Sequence, residues 1–133
     1  TLPPVLMVQL KRFEFDYQKE TMVKVSDYCE FYDEIDLEKY TYSENVQETR
    51  YKLFSVLVHS GGSATSGHYY AFIRPNPGNY YFYFFQLLEG DGQWYKFNDD
   101  IVDLAEPDEV FEANFGGTHT EARLNSISLE IKS

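Results

Sequence analysis

The sequence holds a single cysteine, Cys29, among 133 residues. One thiol excludes an internal disulfide and suits a reducing, intracellular compartment. Positive charge is the next scarcity: 11 Lys and Arg stand against 22 Asp and Glu, a formal net charge of −11. Nucleic-acid binding needs clustered Lys and Arg along a polyanion, so that partner class is excluded. The acid excess fits a basic protein partner, or plain solubility, equally well. No apolar run approaches the ~20 residues of a membrane span, so no membrane partner is expected. Nothing at the start resembles a secretory signal. No pair of His, Cys or carboxylates stands at zinc-ligand spacing, which argues against a metal, and no cofactor motif is present. There are no repeats and no low-complexity tail.

Aromatics are what the chain has in plenty: 18% of residues, within a hydrophobic content of 43%. That composition, at this length, fits one strand-rich domain or part of one, because aromatics favour a pleated, half-buried surface. Leu2-Pro3-Pro4 opens extended, and Val5 to Phe15 reads as one half-buried strand with Leu6, Val8 and Leu10 alternating. Phe13 and Phe15 are candidate core residues. Asp16 to Met22 is a polar hairpin loop returning through Val23-Lys24-Val25. Cys29 falls in a strand-like stretch whose acidic neighbours raise a thiol pKa, the wrong direction for a nucleophile, so it is read as structural. IDLEKY (Ile35 to Tyr40) predicts a helical turn capped by Asp36. Pro107 to Asn114 predicts a short helix with Gly116-Gly117 beyond its end, and Phe111 and Phe115 share one face of it. Ile101 and Val102 are expected to return to the core. Asn125 to Lys132 predicts a strand with one wet face.

The informative stretch is LFSVLVHSGGSATSGHYYAFIR, Leu53 to Arg74. Two strand-like runs flank a loop of small residues, Ser60 to Gly67, and His68 opens the second run. An imidazole at a strand mouth beside a loop with almost no bulk is where rigid scaffolds present chemistry. Gly67 permits close approach of backbone or ligand just before it. WYKFNDDIV follows at Trp94 to Val102. An antiparallel pairing that opposes Phe72 to Trp94 also opposes His68 to Asn98, on one face. A histidine facing a carboxamide is two-thirds of a Cys-His-Asn arrangement: the amide oxygen fixes the tautomer, and the other ring nitrogen can take a proton from a thiol. His59 and His119 are expected to be structural.

GHYYAFIR followed by WYKFNDDIV resembles the histidine box of the ubiquitin-specific proteases, papain-like enzymes that cleave ubiquitin from its conjugates. LPPVLMVQLKRFEF, IDLEKY, YKLFSVLVHSG and NSISLEIK fall in that family's order, so the resemblance covers nearly the whole chain. It implies an α+β fold, a mainly antiparallel twisted sheet with one or two short helices, forming the palm of such a catalytic domain over 1–133. It implies a catalytic histidine, His68, oriented by Asn98, with Asp99 the alternative orienter. It also implies a ubiquitin tail lying against Phe13, Gly67 and Tyr69. The family's cysteine box is absent, so the nucleophile is expected from an N-terminal half outside these residues. Expected partners are then ubiquitin, its conjugates and that half, in nucleus or cytoplasm. Two rivals stay open: a ubiquitin-binding module without catalysis, and an aromatic-rich β-domain binding sugars or peptides. One departure from the family pattern is Pro75 to Glu89, with six consecutive aromatics, Tyr80 to Phe85. An arm of that kind is expected to pack against something outside the chain.

Overall fold

The computed structural model describes residues 2–42, 49–63, 65–75, 92–117 and 125–132. Tyr80 to Phe85 and His119 lie outside the described residues. The strands are β1 (Val5–Gln9), β2 (Phe13–Asp16), β3 (Thr21–Lys24), β4 (Glu34–Asp36), β5 (Arg50–Ser60), β6 (His68–Ile73), β7 (Trp94–Asn98), β8 (Ile101–Ala105) and β9 (Asn125–Lys132). One helix, α1 (Pro107–Val110), and 3-10 turns at Glu38–Tyr40 and Glu112–Asn114 complete the described elements. Seven strands form one sheet in the order β1-β9-β5-β6-β7-β8, with β4 beside the start of β5, and β2-β3 form a separate hairpin; every pairing is antiparallel. This is the α+β, mainly antiparallel architecture expected from the sequence.

The long strand β5 is the spine. One edge pairs with β9; the other pairs with β4 at Arg50–Lys52 and with β6 at Ser55–Ser60. Its core residues change parity, from Tyr51 and Leu53 to Val56 and Val58, all at most 1% exposed. A bulge between Leu53 and Ser55 makes this work: one extra residue re-phases the pleat so both halves face the same core. Arg74 closes the gap between β4 and β6 there. Its guanidinium donates to the Asp33 carboxylate and to the Leu53 carbonyl, and stacks 4.7 Å from the Trp94 ring. The core cluster adds Phe31, Phe72, Trp94, Ala105, Val110, Leu129 and Ile131. Each fully buried Leu, Val, Ile or Phe contributes about 1.5–3 kcal/mol.

Several local expectations are corrected. Val5 to Phe15 is two strands in two different sheets, broken at Leu10-Lys11-Arg12. The break serves Arg12, 4% exposed, whose guanidinium donates to the carbonyls of Asp27 (2.8 Å), Phe115 (3.1 Å) and Val25 (3.4 Å). Phe15 is not core: it is 48% exposed, with its ring against Tyr17. Cys29 is not in a strand; its amide donates to the Phe115 carbonyl instead of to a ladder partner. Ile101 and Val102 remain about half exposed because β8 is the sheet's edge and only Ala105 of that strand is buried. The helical turn expected at Ile35 to Tyr40 is present as a 3-10 turn over Glu38–Tyr40, with Asp36 Oδ1 accepting the Glu38 amide at 2.9 Å, but Ile35 and Asp36 themselves belong to β4. The predicted helix at 107–114 breaks at Phe111 into α1 and a 3-10 turn, and Asn114, fully buried, ties them by donating to the Glu109 and Val110 carbonyls. Phe111 and Phe115 both meet Phe31, as their spacing requires.

Candidate active site

His68 is the first residue of β6, and its last ladder partner on β5 is Ser60. Asn98 is the last residue of β7; the chain then turns through Asp99 and Asp100 into β8, with Asn98 opposite Ile101. Asp99 takes a positive φ of 54°, a conformation Asp tolerates better than most residues. The β6–β7 register differs from the expected one: Phe72 faces Lys96, not Trp94. Continuing that ladder puts Trp94 opposite Arg74, where its ring receives the guanidinium. A shift of two residues leaves side-chain parity intact, so His68, Tyr70 and Phe72 still share a face with Lys96 and Asn98. His68 and Asn98 therefore meet diagonally, a separation their side chains can span.

They do meet: His68 Nε2 lies 2.5 Å from Asn98 Oδ1. An amide oxygen only accepts, so Nε2 carries the proton and donates, leaving Nδ1 with a lone pair. Asp99 Oδ2 is 3.8 Å from the same Nε2, too far for a hydrogen bond but near enough to act on a ring charge. The His68 side chain is 48% exposed, so the site sits open at the sheet's end. Beneath it, Lys96 lies 4.9 Å from the Tyr70 ring centre and 5.6 Å from that of Phe72, and donates to Glu109 at 2.8 Å. Burial works to lower the Lys96 pKa, but the Glu109 hydrogen bond and charge outweigh it and raise the value.

Phe13, Gly67 and Tyr69 do not line His68's face. Tyr69 alternates to the other side of β6 and opposes His59 across the ladder, their ring centres 4.6 Å apart. Phe13 presents its ring to His59 at 5.7 Å. Gly67 presses on the same imidazole: a Cβ there would stand 2.3 Å from His59 Nε2 and 2.5 Å from the Ser60 carbonyl oxygen. The close approach this glycine allows is therefore to its own chain. All three residues gather round His59, which is 5% exposed.

Lys24 completes that group and had no distinguishing mark in the sequence. A lysine between two valines on a short strand reads as a solvated edge. In the structure its ammonium donates to the carbonyls of Gly61 (2.7 Å) and His59 (3.0 Å) and lies 3.4 Å from His59 Nδ1. Burial first, and the Arg12 charge second, push the Lys24 pKa down to about 8. Burial and the Lys24 charge likewise lower that of His59. Since Lys24 only donates, His59 Nδ1 is the acceptor and the His59 proton sits on Nε2. Among the described residues no hydrogen bond joins Cys29 to His68.

Residues 1–123 match the family described as "Ubiquitin carboxyl-terminal hydrolase". The chain is similar to Ubiquitin C-terminal hydrolase 12 of Arabidopsis thaliana, 44% identical over 121 residues covering 86% of this chain and 10% of that protein. It is similar to Ubiquitin carboxyl-terminal hydrolase 15 of Schizosaccharomyces pombe, 45% identical over 120 residues covering 88% of this chain and 9% of that protein. Ubiquitin carboxyl-terminal hydrolase 9X of Mus musculus is 36% identical over 149 residues, covering 89% of this chain and 5% of that protein. The chain spans about a tenth or less of the length of these curated relatives.

Proposed function

The chain belongs to the ubiquitin carboxyl-terminal hydrolase family, and we propose on that footing that it supplies the histidine and the orienting amide of a thiol protease acting at the C-terminus of ubiquitin. The observation that carries the reading is the Nε2–H bond from His68 to Asn98 Oδ1, which leaves Nδ1 free to act as a base. In this mechanism Nδ1 takes the proton of a cysteine thiol. The thiolate adds to the carbonyl of the isopeptide bond, and the imidazolium returns its proton to the lysine amine as the C–N bond breaks. Water then hydrolyses the thioester by the same base. Asn98 holds the ring through both protonation states, and Asp99 adds an attraction to the imidazolium.

In this reading Cys29 is structural and not that nucleophile, which is supported by its having no hydrogen bond to His68 among the described residues. The thiol comes from a segment outside these 133 residues, the N-terminal half of the same catalytic domain, and this chain is the domain's palm. Phe13, Tyr69 and Gly67, gathered round His59 on the side of β6 opposite His68's face, are the contacts this reading gives the ubiquitin tail. The substrate is ubiquitin and its conjugates, in nucleus or cytoplasm.

The test is turnover of a fluorogenic ubiquitin substrate. The full-length protein should be active and lose activity almost completely on His68→Ala, while the 133-residue chain alone should have none. Activity of that chain, abolished by Cys29→Ala, would overturn the assignment of the nucleophile. Ubiquitin binding without turnover by the full-length protein would point to a non-catalytic module.

A further inference from the structure

We propose that Lys24 is a positioning residue for His68, acting through the stem of the loop from Gly61 to Gly67. This deepens the protease reading and rests on it. Lys24 belongs to β3, in the separate two-stranded hairpin, yet its ammonium bonds to carbonyls at the end of β5 and at the first residue of the loop. Gly61, which it grips, abuts the other end of that loop. A Cβ at Gly61 would stand 3.0 Å from the Gly67 Cα and 3.1 Å from the Ser66 carbonyl oxygen. Gly67 in turn packs on His59 and directly precedes His68. The path from Lys24 to His68 is therefore two close contacts, ammonium to Gly61 and Gly61 to Gly67, followed by one peptide bond to His68.

Among the described residues the hairpin meets His59 by one other side chain. Phe13, its other contribution, meets the His59 ring by an edge, which orients weakly. A charged donor on two carbonyls is stronger and directional, since hydrogen bonds to charged groups exceed neutral ones about twofold. Without it, the stem of a small-residue loop has few buried contacts to keep one conformation. His68 at the strand's first position would inherit that freedom, and a base displaced by about 1 Å can lose up to 10²-fold in rate.

Lys24→Met keeps the stem's bulk and removes the donors. Its steady-state kinetics are read in the full-length protein, and the ring signals of His68 by 15N NMR in the 133-residue chain. The expected result is kcat down about 10-fold or more with KM changed less than about threefold, and His68 ring signals that no longer report one Nε2-protonated tautomer. Lys24→Arg, which retains charge and donors, is expected to recover most of kcat and the single tautomer. A folded Lys24→Met with wild-type kcat and wild-type His68 signals overturns the proposal, as does a rise in KM alone, which would make Lys24 a substrate contact. If Lys24→Met fails to fold, Lys24→Arg decides: wild-type ring signals with kcat lost overturn it, and both retained support it. An inactive wild-type protein sinks the protease reading instead, and the NMR arm still judges the Lys24 linkage.

Discussion

At the scale of single residues, the site turns on which group orients the imidazole. Asn98 Oδ1 is in hydrogen-bond contact with His68 Nε2, while the Asp99 carboxylate stands off at 3.8 Å with its side chain 75% exposed. Solvent screens the second interaction, so it is worth less than a kcal/mol or so. Asn98→Ala should therefore lower kcat of the full-length protein by about 10²-fold or more, as loss of a tautomer-fixing group does. Asp99→Ala should cost less than about 10-fold, and Asp100→Ala less again. Equal damage from Asn98→Ala and Asp99→Ala in steady-state assays would show that the carboxylate swings in to share the role. Lys24 yields a prediction in pH. Its folded pKa of about 8 lies below the ordinary 10.5, burial being the larger cause and the Arg12 charge the smaller. Between those values the folded chain binds fewer protons than the unfolded one, so this group adds stability as pH rises through the window and takes it away as pH falls through 8. Denaturation midpoints from pH 7 to 10.5 should therefore rise in wild type relative to Lys24→Met. A constant difference between the two across that range would contradict the shift.

At the scale of elements, the β2–β3 hairpin is held to the main sheet by polar groups rather than by a core. Arg12 fixes its base and Lys24 its return strand. Arg12 Nη atoms hold three carbonyls from two distant segments, and Gly116 passes so close that a Cβ would lie 2.9 Å from Arg12 Nη1. Its Nε is buried with no hydrogen-bond partner among the described residues, a cost the guanidinium accepts to reach those carbonyls. Arg12→Met leaves buried acceptors unsatisfied at about 1–3 kcal/mol each. A loss of about 2–4 kcal/mol is expected after partial relaxation, read as a lower urea midpoint at unchanged slope. A loss of stability below about 0.5 kcal/mol would mean that water replaces the guanidinium. These are also the places where the sequence alone fell short. Alternation in β6, β7 and β9 was legible from the sequence, whereas β5 read only as an apolar run. The break at Leu10-Lys11-Arg12 was not, because its cause lies at Asp27 and Phe115, far along the chain. The β5 bulge was equally hidden, since Tyr51, Leu53, Val56 and Val58 look apolar in either phase. His68 and Asn98 were legible in spite of a wrong register, because an error of two residues preserves the face. The approach of Phe13 to His59 depends on where a second sheet docks, which no local pattern encodes.

At the scale of the molecule, the sheet formed by the described residues ends on two edges, β1 and β8, that carry exposed apolar side chains. On β8, Ile101 is 54%, Val102 47% and Leu104 67% exposed; on β1, Val5 is 47% and Met7 66%. An edge strand with free backbone groups and apolar side chains is a template for pairing with another chain, and the net charge of −11 supplies the repulsion that opposes it. Leu104 is the cleanest probe, because it opposes Tyr95 at the backbone while its own side chain faces solvent. Leu104→Lys removes apolar surface and places a charge on the edge, a common natural guard against edge pairing. It also reduces the net negative charge by one, so any gain in solubility cannot come from added repulsion. The 133-residue chain carrying Leu104→Lys should show a higher concentration limit before light scattering rises, with stability within about 0.5 kcal/mol of wild type, as for other exposed substitutions. In the full-length protein the same change should lower stability by more than that if the remainder of the domain covers β8. Stability lost to the same extent in the 133-residue chain would place Leu104 in its own core, and the exposed edge would have to be given up.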